Sequence, residues 1–305
     1  MNVVLFHTGC FGPHIYQHPD GPNLPPHLEH CITQYRLFND GPIYFLTDRQ
    51  NFGDLAKYRQ VIPVAIQDYA SDKIARFNAL YNSYGPRNFW TVATTRLFYI
   101  ANFMRAHNLR HVYHFENDIL IYFNIREHDE TFQQLYKNVA ITPAGPDKLA
   151  TGFVYIPDAD SLEKVTDFFI KILEQFGTKG LKQQYSLSMI HEMTLLWLFW
   201  HITAHMDLLP ILPFGDFSKH YEDFGAIFDP ASWGQFVGGT RTEGPGARPE
   251  DHYIGQLLRQ NPQYGVGWRI EGGLRVPYFI YDDNWVKLNS LHIHSKNLKE
   301  FMSKC

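Results

Sequence analysis

Two carboxylates near the middle of the chain, Glu116 and Asp118, are the residues best suited to chemistry. They follow the aromatic and β-branched segment 111–115 and precede an apolar run at 119–122. This pattern predicts a buried strand that presents both acids on one face at its end. Magnesium and manganese prefer a few carboxylates, with water and phosphate oxygens at the remaining positions. The spacing therefore indicates a site for a divalent cation that carries a diphosphate, and the alternative is a strand end capped by acids at the surface.

A second pattern lies close to the end of the sequence, in the segment 291–296. Apolar and polar residues alternate there, which predicts a strand with His292, His294 and Lys296 on one face. An imidazole can complete a metal site, and an ammonium group two residues further on can meet the phosphates that the metal also binds. We expect one histidine to be a ligand and slightly prefer His294, which is nearer to Lys296. The alternative is a hydrogen-bonded pair of histidines in an edge strand.

Three further charged residues interrupt apolar or glycine-rich stretches. Arg96 breaks the apolar rhythm of a predicted helix, where its guanidinium could bind a nucleotide or diphosphate through two parallel hydrogen bonds, and the alternative is a surface arginine. Glu192 lies in a largely apolar run, where a carboxylate is costly unless it is paired or functional. Asp229 opens a stretch rich in glycine, where it equally fits a turn. Glu192 and Asp229 are therefore the candidates for catalytic work.

The composition indicates a globular protein with a sizeable core. Hydrophobic residues make up 45% of the 305 residues and aromatic residues 16%, which argues against disorder. The formal net charge of -4 and the pI near 6.5 disfavour nucleic acid as the main partner. Three cysteines form neither a zinc pattern nor a disulfide framework, which favours a reducing compartment. We expect no signal peptide, because the first residues have neither a basic region nor a long apolar core. We expect no membrane span, because the longest apolar stretch, 194–204, is far shorter than about 20 residues.

The elements that must position these residues alternate between strands and helices. Predicted strands at 3–6, 42–46 and 61–66 are separated by helical segments, and a helix at 91–107 leads into the acidic strand. Such alternation predicts an α/β fold with a mainly parallel central sheet and helices on both faces. Ligands of open α/β sheets bind beyond the carboxyl ends of the strands. We therefore expect convergence there of the residues that follow the strands, namely Thr8, Thr47, Asp48, Glu116 and Asp118.

The second half of the chain is less regular. It contains a predicted strand at 150–156, an amphipathic helix at 160–176 and a buried helix at 187–202. The stretch 228–249 is rich in glycine and proline, and long loops in compact domains are usually binding loops or lids. We expect Trp233 and Phe236 to form a mobile cover over a bound ligand.

Several motifs are absent from the sequence. There is no phosphate-binding Gly-x-x-x-x-Gly-Lys-Ser/Thr loop, no Gly-x-Gly-x-x-Gly after a strand, no Gly-x-Ser-x-Gly elbow and no His-Glu-x-x-His. Nucleoside-triphosphate motors, dinucleotide oxidoreductases, α/β-hydrolases and zinc proteases of that type are therefore disfavoured.

The chain resembles the nucleotide-sugar-dependent glycosyltransferases of the GT-A fold over almost its whole length. The acidic segment His114-Phe115-Glu116-Asn117-Asp118 is similar to their Asp-x-Asp motif, and the late histidine is similar to the third protein ligand of glycogenin-like members. The other segments that carry the resemblance are Phe6-His7-Thr8-Gly9, Phe45-Leu46-Thr47-Asp48, Phe89-Trp90, Thr95 to Ile100, Thr151 to Ile156, Phe228-Asp229, Gly234-Gln235, Gly238-Gly239 and Leu291 to Lys296.

The resemblance implies a role for each of these positions. Asp118 would bind Mn²⁺ or Mg²⁺ together with His294 or His292. Glu116 replaces the first Asp of the motif, and its longer side chain would meet the ribose or a metal-bound water. The positions that would bind the nucleotide sugar are Thr8, Gly9, Thr47, Asp48, Arg96, Glu116, Asn117, Gly152 and Lys296.

For the protein as a whole, the resemblance implies a metal-dependent transferase of the hexosyltransferase type. It would move a sugar from a nucleoside-diphosphate sugar, with a UDP-sugar favoured, to an acceptor hydroxyl of a glycan, lipid or protein. We expect one domain over 1–305, with a nucleotide-binding half at 1–125 and a half at 126–305 for donor sugar and acceptor. A cytoplasmic location is expected. The alternatives are a nucleotide-sugar or glycan-binding module on the same fold with a degraded site, and a metallophosphodiesterase, which would need more clustered His and Asp.

Overall fold

A computed structural model describes residues 1–8, 24–81, 89–235, 237 and 252–304. Within these ranges, seven strands form the central sheet in the order β3-β2-β1-β4-β7-β6-β8. They are β1 (Asn2–His7), β2 (Ile43–Thr47), β3 (Val61–Ala65), β4 (Val112–Phe115), β6 (Ala140–Gly145), β7 (Lys148–Ile156) and β8 (Asp207–Leu208). All neighbouring pairs are parallel except the two that β7 makes with β4 and β6.

Two smaller sheets complete the strands. The first pairs β10 (Gly265–Glu271), β11 (Leu274–Tyr281), β12 (Asn284–Leu288) and β9 (Ala226–Ile227), and the second pairs β5 (Ile119–Ile121) with β13 (Ser290–His292). The sequence pattern did not predict β10 to β12, because their outward faces are half exposed and mix apolar with charged residues.

The helices lie between the strands of the chain, and the last of them follows the glycine-rich stretch. They are α1 (Leu28–Phe38), α2 (Phe52–Leu55), α3 (Asp72–Leu80), α4 (Phe89–Ala106), α5 (Asp129–Leu135), α6 (Ala159–Gln184), α7 (Glu192–Thr203), α8 (Tyr221–Phe224) and α9 (Tyr253–Gln260). Helix α6 is kinked at Gly177, whose φ of 60° a side chain would disfavour. No helix in the described part of the chain is long and apolar enough to cross a membrane.

The core explains why β1 is a continuous apolar run. Val3 and Leu5 pack in one cluster, which includes α1, whereas Val4 and Phe6 pack in a second cluster with α4, α6 and α7. Alternate side chains of the strand thus point to opposite faces, and each face is covered. The predicted α/β class, with a mainly parallel sheet and helices on both faces, is confirmed.

Two predicted strands are shorter in the structure. The acidic strand is divided into β4 and β5, and residues 116–118 form the turn between them. The C-terminal strand stops at His292, and the four residues from Ile293 form a turn that is closed by a hydrogen bond from Lys296 N to Ile293 O at 3.0 Å. The predicted alternation of 292, 294 and 296 on one strand face is therefore wrong.

Candidate metal and diphosphate site

The acidic turn lies at the carboxyl end of β4, the edge to which β1 and β2 also point. The backbone N–H of Glu116 donates to Gly152 O at 3.1 Å, and the N–H of Ile119 donates to Glu116 O at 3.1 Å. These bonds hold the turn against β7 and start β5. Glu116 and Asp118 are thus brought together by a hydrogen-bonded turn and not by the pleat of one strand.

The C-terminal strand brings a third group to this turn. Strand β13 pairs antiparallel with β5, and Ile293 N donates to Asp118 O at 2.9 Å. As a result, His292 Nε2 lies 3.0 Å from Asp118 Oδ2 and 3.5 Å from Glu116 Oε2. Asp118 and His292 are both buried. Residues 174 positions apart in the sequence therefore share one small site.

The donor set fits a hard divalent cation. One atom from each of Glu116, Asp118 and His292 lies within 4.8 Å of the others, and this is the one such group of three found among the described residues. Adjacent ligands of an octahedral ion, each about 2.1 Å from it, are about 3 Å apart. The separations of 3.0 and 3.5 Å are close to that spacing. Two carboxylates and one imidazole suit Mn²⁺ or Mg²⁺ better than a soft metal.

Lys296 reaches the same carboxylate from the turn that follows β13. Its backbone adopts a left-handed φ of 65°, which is uncommon for a residue with a Cβ, and its ammonium group donates to Asp118 Oδ2. Burial lowers the pKa of Lys296 to about 8. The turn therefore places a cationic group beside the carboxylate that a metal would share.

His294 points away from the acids. Its Nε2 lies 3.1 Å from Ala231 O, and its ring stacks on that of His292 with the centroids 4.2 Å apart. The slight preference for His294 over His292 rested on its nearness to Lys296 along a strand that was expected to place both histidines on one face. The structure brings His292 to the acids instead.

A buried layer of polar residues, formed by Arg96, Thr151 and Glu192, contacts Glu116. Arg96 on α4 uses Nη2 to donate to Glu116, to the hydroxyl of Thr151 on β7, and to Glu192 Oε1 at 2.6 Å. The Thr151 hydroxyl lies 2.8 Å from Glu116 Oε1 and 2.5 Å from Glu192 Oε1. Arg96 is only 9% exposed, so the surface-arginine alternative is wrong. Its described contacts are with the two carboxylates and Thr151.

The pKa values of the two carboxyl groups are shifted in opposite directions. Burial raises the pKa of Glu192, and the attraction of Arg96 does not reverse that rise. Burial acts in the same direction on Glu116, but Arg96 and His292 hold its pKa well below the usual range. Glu192 Oε2 is buried and has no hydrogen-bond partner. The lowered pKa makes Glu116 the carboxylate suited to a cation, whereas Glu192 is a buried residue paired with Arg96 behind it.

Asp229 is fully buried, and its carboxylate accepts four backbone N–H groups. Oδ1 accepts from Ser232 at 2.6 Å and Trp233 at 2.8 Å, and Oδ2 accepts from Gly234 at 2.9 Å and His292 at 2.7 Å. Asp229 therefore binds backbone groups of the segments that surround the site.

Trp233 is a core residue. It is 0% exposed and its ring lies 4.6 Å from that of Phe279. The prediction that it forms a mobile cover is wrong, and Phe236, the other residue in that prediction, lies outside the described residues.

The remaining predicted residues lie around the strand ends. Thr8 and Thr47 are buried, Thr47 Oγ1 accepts from Asn51 at 2.8 Å, and Asp48 Oδ1 accepts from Gln67 at 3.1 Å. A Cβ on Gly152 would lie 3.3 Å from His292 Nδ1, so this glycine lets β7 approach the imidazole. The predicted Gly9 lies outside the described residues.

Sequence reasoning missed two histidines that flank the acidic turn. Asn117 Oδ1 lies 3.1 Å from His27 Nε2, and its Nδ2 lies 3.2 Å from His7 Nδ1. His7 ends β1, so its place at a strand end was the available signal. His27 precedes α1 and has no such signal in the sequence.

The fold is similar to that of several solved glycosyltransferases. Mouse xyloside xylosyltransferase 1 in its apo form is 11% identical over 68% of this chain and 84% of its own, with a TM-score of 0.49. GlyE of Streptococcus pneumoniae TIGR4 is 14% identical over 68% of this chain and 45% of its own, with a TM-score of 0.40. The galactosyltransferase LgtC, in complex with donor and acceptor sugar analogs, is 10% identical over 69% of this chain and 73% of its own, with a TM-score of 0.38. No protein-family model matches the sequence, and no curated protein matches it.

Proposed function

We propose that this protein is a glycosyltransferase that uses Mn²⁺ or Mg²⁺ to transfer a sugar, of the hexosyl type, from a nucleoside-diphosphate sugar. The observation that carries the proposal is the convergence of Glu116, Asp118 and His292 with Lys296 at the carboxyl edge of the sheet. Three metal-ligating groups beside an ammonium group match the charge of a diphosphate that is bound through a cation. The acceptor is a hydroxyl group of a glycan, lipid or protein.

Asp118, His292 and Glu116 would hold the cation in this proposal. When bound, the cation would neutralise charge on the diphosphate of the donor. Lys296 would donate to the phosphate oxygens and offset the charge that develops as the sugar–oxygen bond breaks. Arg96 and Thr151 hold Glu116 ionised and oriented, which keeps its second oxygen towards the site.

The two halves of the chain would divide the donor between them. We propose that residues 1–125 bind the nucleotide through Asn117 and the strand ends near Thr8, Thr47 and Asp48, and that Gly152 of the second half also lines the site. Residues 126–305 would contact the sugar and the acceptor, with Glu192 as the candidate residue for catalysis behind Glu116. A cytoplasmic location is predicted from the cysteine pattern.

A ligand screen with and without metal tests the proposal. UDP-, GDP- and CMP-sugars are compared by thermal shift in the presence of Mn²⁺ or of a chelator, with a UDP-sugar expected to give the largest shift. A ligand at 100 times its dissociation constant adds about 2.7 kcal/mol to the free energy of unfolding. We expect this gain in Mn²⁺ and its loss with chelator.

Asp118→Asn is the variant for the same screen, because the amide keeps the shape of the side chain and removes its charge. It should unfold at the wild-type temperature without ligand, lose the Mn²⁺-dependent shift and show no transfer. Asp216→Asn, the same change at an exposed position, is the control. A wild-type response to glycans but to no sugar nucleotide would instead support a glycan-binding module, and full transfer by Asp118→Asn in metal-free buffer would refute the proposal.

A further inference from the structure

Asp229 has a bonding pattern that differs from that of a residue which contacts substrate. Its carboxylate is fully buried, and all four of its hydrogen bonds come from backbone N–H groups. Oδ1 serves the turn at Ser232 and Trp233, whereas Oδ2 serves Gly234 and His292. One carboxylate therefore joins the start of the glycine-rich stretch to the strand that carries His292.

Gly234 completes this junction by close approach. A Cβ at this position would lie 2.1 Å from His292 O and 2.7 Å from His292 C. These are backbone atoms of β13, which cannot rotate out of the way as a flexible side chain could. The backbone of residue 234 thus packs directly on the backbone of His292, and Asp229 Oδ2 lies between their two N–H groups.

The imidazole of His292 lacks a similar support of its own. Its Nε2 faces Asp118, while its Nδ1 is buried and has no hydrogen-bond partner. In most metal sites the second ring nitrogen of a ligating histidine donates to a carboxylate or carbonyl that orients the ring. Here the hydrogen bonds that orient the residue act on its backbone.

We propose that Asp229 is a positioning residue that sets the metal-binding position of His292 through the peptide backbone. This proposal rests on the proposed function, since it assigns to His292 the role of metal ligand. Asp229 itself touches neither cation nor substrate. Its bond from His292 N fixes the last residue of β13 to the turn at 232–234, which the other three bonds hold, and hence sets how far His292 Nε2 lies from Asp118 and Glu116.

Asp229→Asn tests the proposal because an amide can accept from only one of the two pairs of N–H groups. Its NH₂ group would face two donors, either Ser232 and Trp233 or Gly234 and His292. We expect Mn²⁺ to bind about 10-fold more weakly, the low end of the loss seen when groups that orient a ligand are changed. Affinity is measured by calorimetry without donor, so that the result does not depend on transfer.

A double-mutant cycle separates positioning from a general loss of structure. In the His292→Ala background, Asp229→Asn should change Mn²⁺ affinity less than about twofold, because the ligand that it positions is absent. Equal losses in both backgrounds, or no loss in the wild-type background, would overturn the proposal. Asp216→Asn is the control for a lost surface charge, and Asp229→Ser, which keeps one acceptor oxygen, replaces Asp229→Asn if that variant does not fold.

A metal-free measurement distinguishes failure of this proposal from failure of the proposed function. The ¹⁵N imidazole signals of His292, assigned by their loss in His292→Ala, should shift in Asp229→Asn and stay in place in Asp216→Asn. Wild-type protein that does not bind Mn²⁺ would contradict the proposed function, and the shift would still decide whether Asp229 positions His292. Unchanged signals in Asp229→Asn would refute the positioning role.

Discussion

The ammonium group of Lys296 and the imidazole of His292 meet at one atom, Asp118 Oδ2. A cation bound by Asp118 and His292 would repel that ammonium group, because both carry positive charge. We expect a bound diphosphate to replace Asp118 as the partner of the Lys296 ammonium group. Metal and diphosphate binding are thereby expected to support each other.

We expect Lys296→Ala to weaken UDP binding in the presence of Mn²⁺ by about 10- to 100-fold, the equivalent of one charge-assisted hydrogen bond. Mn²⁺ alone should bind no more weakly than to wild type, because the variant removes a competitor for Asp118. Calorimetric titrations measure both affinities. Lys299→Ala, at an exposed position, should change neither, and a loss of Mn²⁺ affinity in Lys296→Ala would contradict the assignment.

The two late histidines form a matched pair for testing the ligand set. His292→Ala should weaken Mn²⁺ binding at least about 10-fold, because Nε2 of His292 is the nitrogen that faces the two acids. His294→Ala should leave Mn²⁺ affinity within about twofold, since its Nε2 bonds to Ala231 O. Titrations monitored by electron paramagnetic resonance give both values, and the reverse order would place the ligand at His294.

Arg96 should be essential for stability because it is the cation between two buried carboxylates. Arg96→Met should lower the free energy of unfolding by about 3–5 kcal/mol, the cost of leaving a buried charge unpaired. Arg105→Met, on the same helix but in exposed ion pairs, should cost far less, because water screens these charges. Urea unfolding measures the free energy of unfolding of both variants. A loss in Arg96→Met no larger than that in Arg105→Met would show that the buried contacts of Arg96 contribute little to stability.

Stability should fall as the pH falls from about 6.5, and His191 should contribute to this. Its Nδ1 accepts from Thr194 N at the start of α7, its ring stacks on Trp90, and burial lowers its pKa to about 4. The unfolded chain therefore binds the proton first, so protonation favours unfolding between about pH 6.5 and 4. His191→Asn should reduce the loss of stability between pH 7 and 5 by about 2 kcal/mol, measured by urea unfolding at each pH. His205→Asn, at an exposed position, should leave the loss unchanged.

Local pattern was sufficient to predict β1, β2, β3, α1 and α4, whereas it did not predict α3 or the division of the acidic strand. The apolar runs of β1, β2 and β3 and the amphipathic face of α1 follow directly from residue type and spacing, because each is covered by its neighbours in sequence. Strands β10 to β12 were not predicted, because their outward faces are only half buried and the sequence therefore lacks a clear apolar pattern. The turn at 293–296 could not be predicted, because Lys296 has a backbone conformation that its residue type disfavours.

The residues of the candidate site could be recognised from the sequence, but the contacts between them could not. Carboxylates and a histidine with a nearby lysine are recognisable by type, whereas the choice of His292 over His294 depends on where β13 ends. Asp229 accepts hydrogen bonds from four backbone N–H groups of two segments. Such bonds cannot be predicted from residue type, because every residue except proline has a backbone N–H group. Arg96 was noticed because a charge interrupts an apolar face, but its two carboxylate partners come from the turn after β4 and from α7.

The pairing of β13 with β5 closes a loop of more than 170 residues between His292 and Asp118. A cation held by these two residues would act as a cross-link across that loop, and a cross-link stabilises by limiting the freedom of the open chain. Release of the cation and local opening of the last residues of the chain would then be linked events. The rate at which the backbone amides of 290–293 exchange with solvent would report the free concentration of the ion.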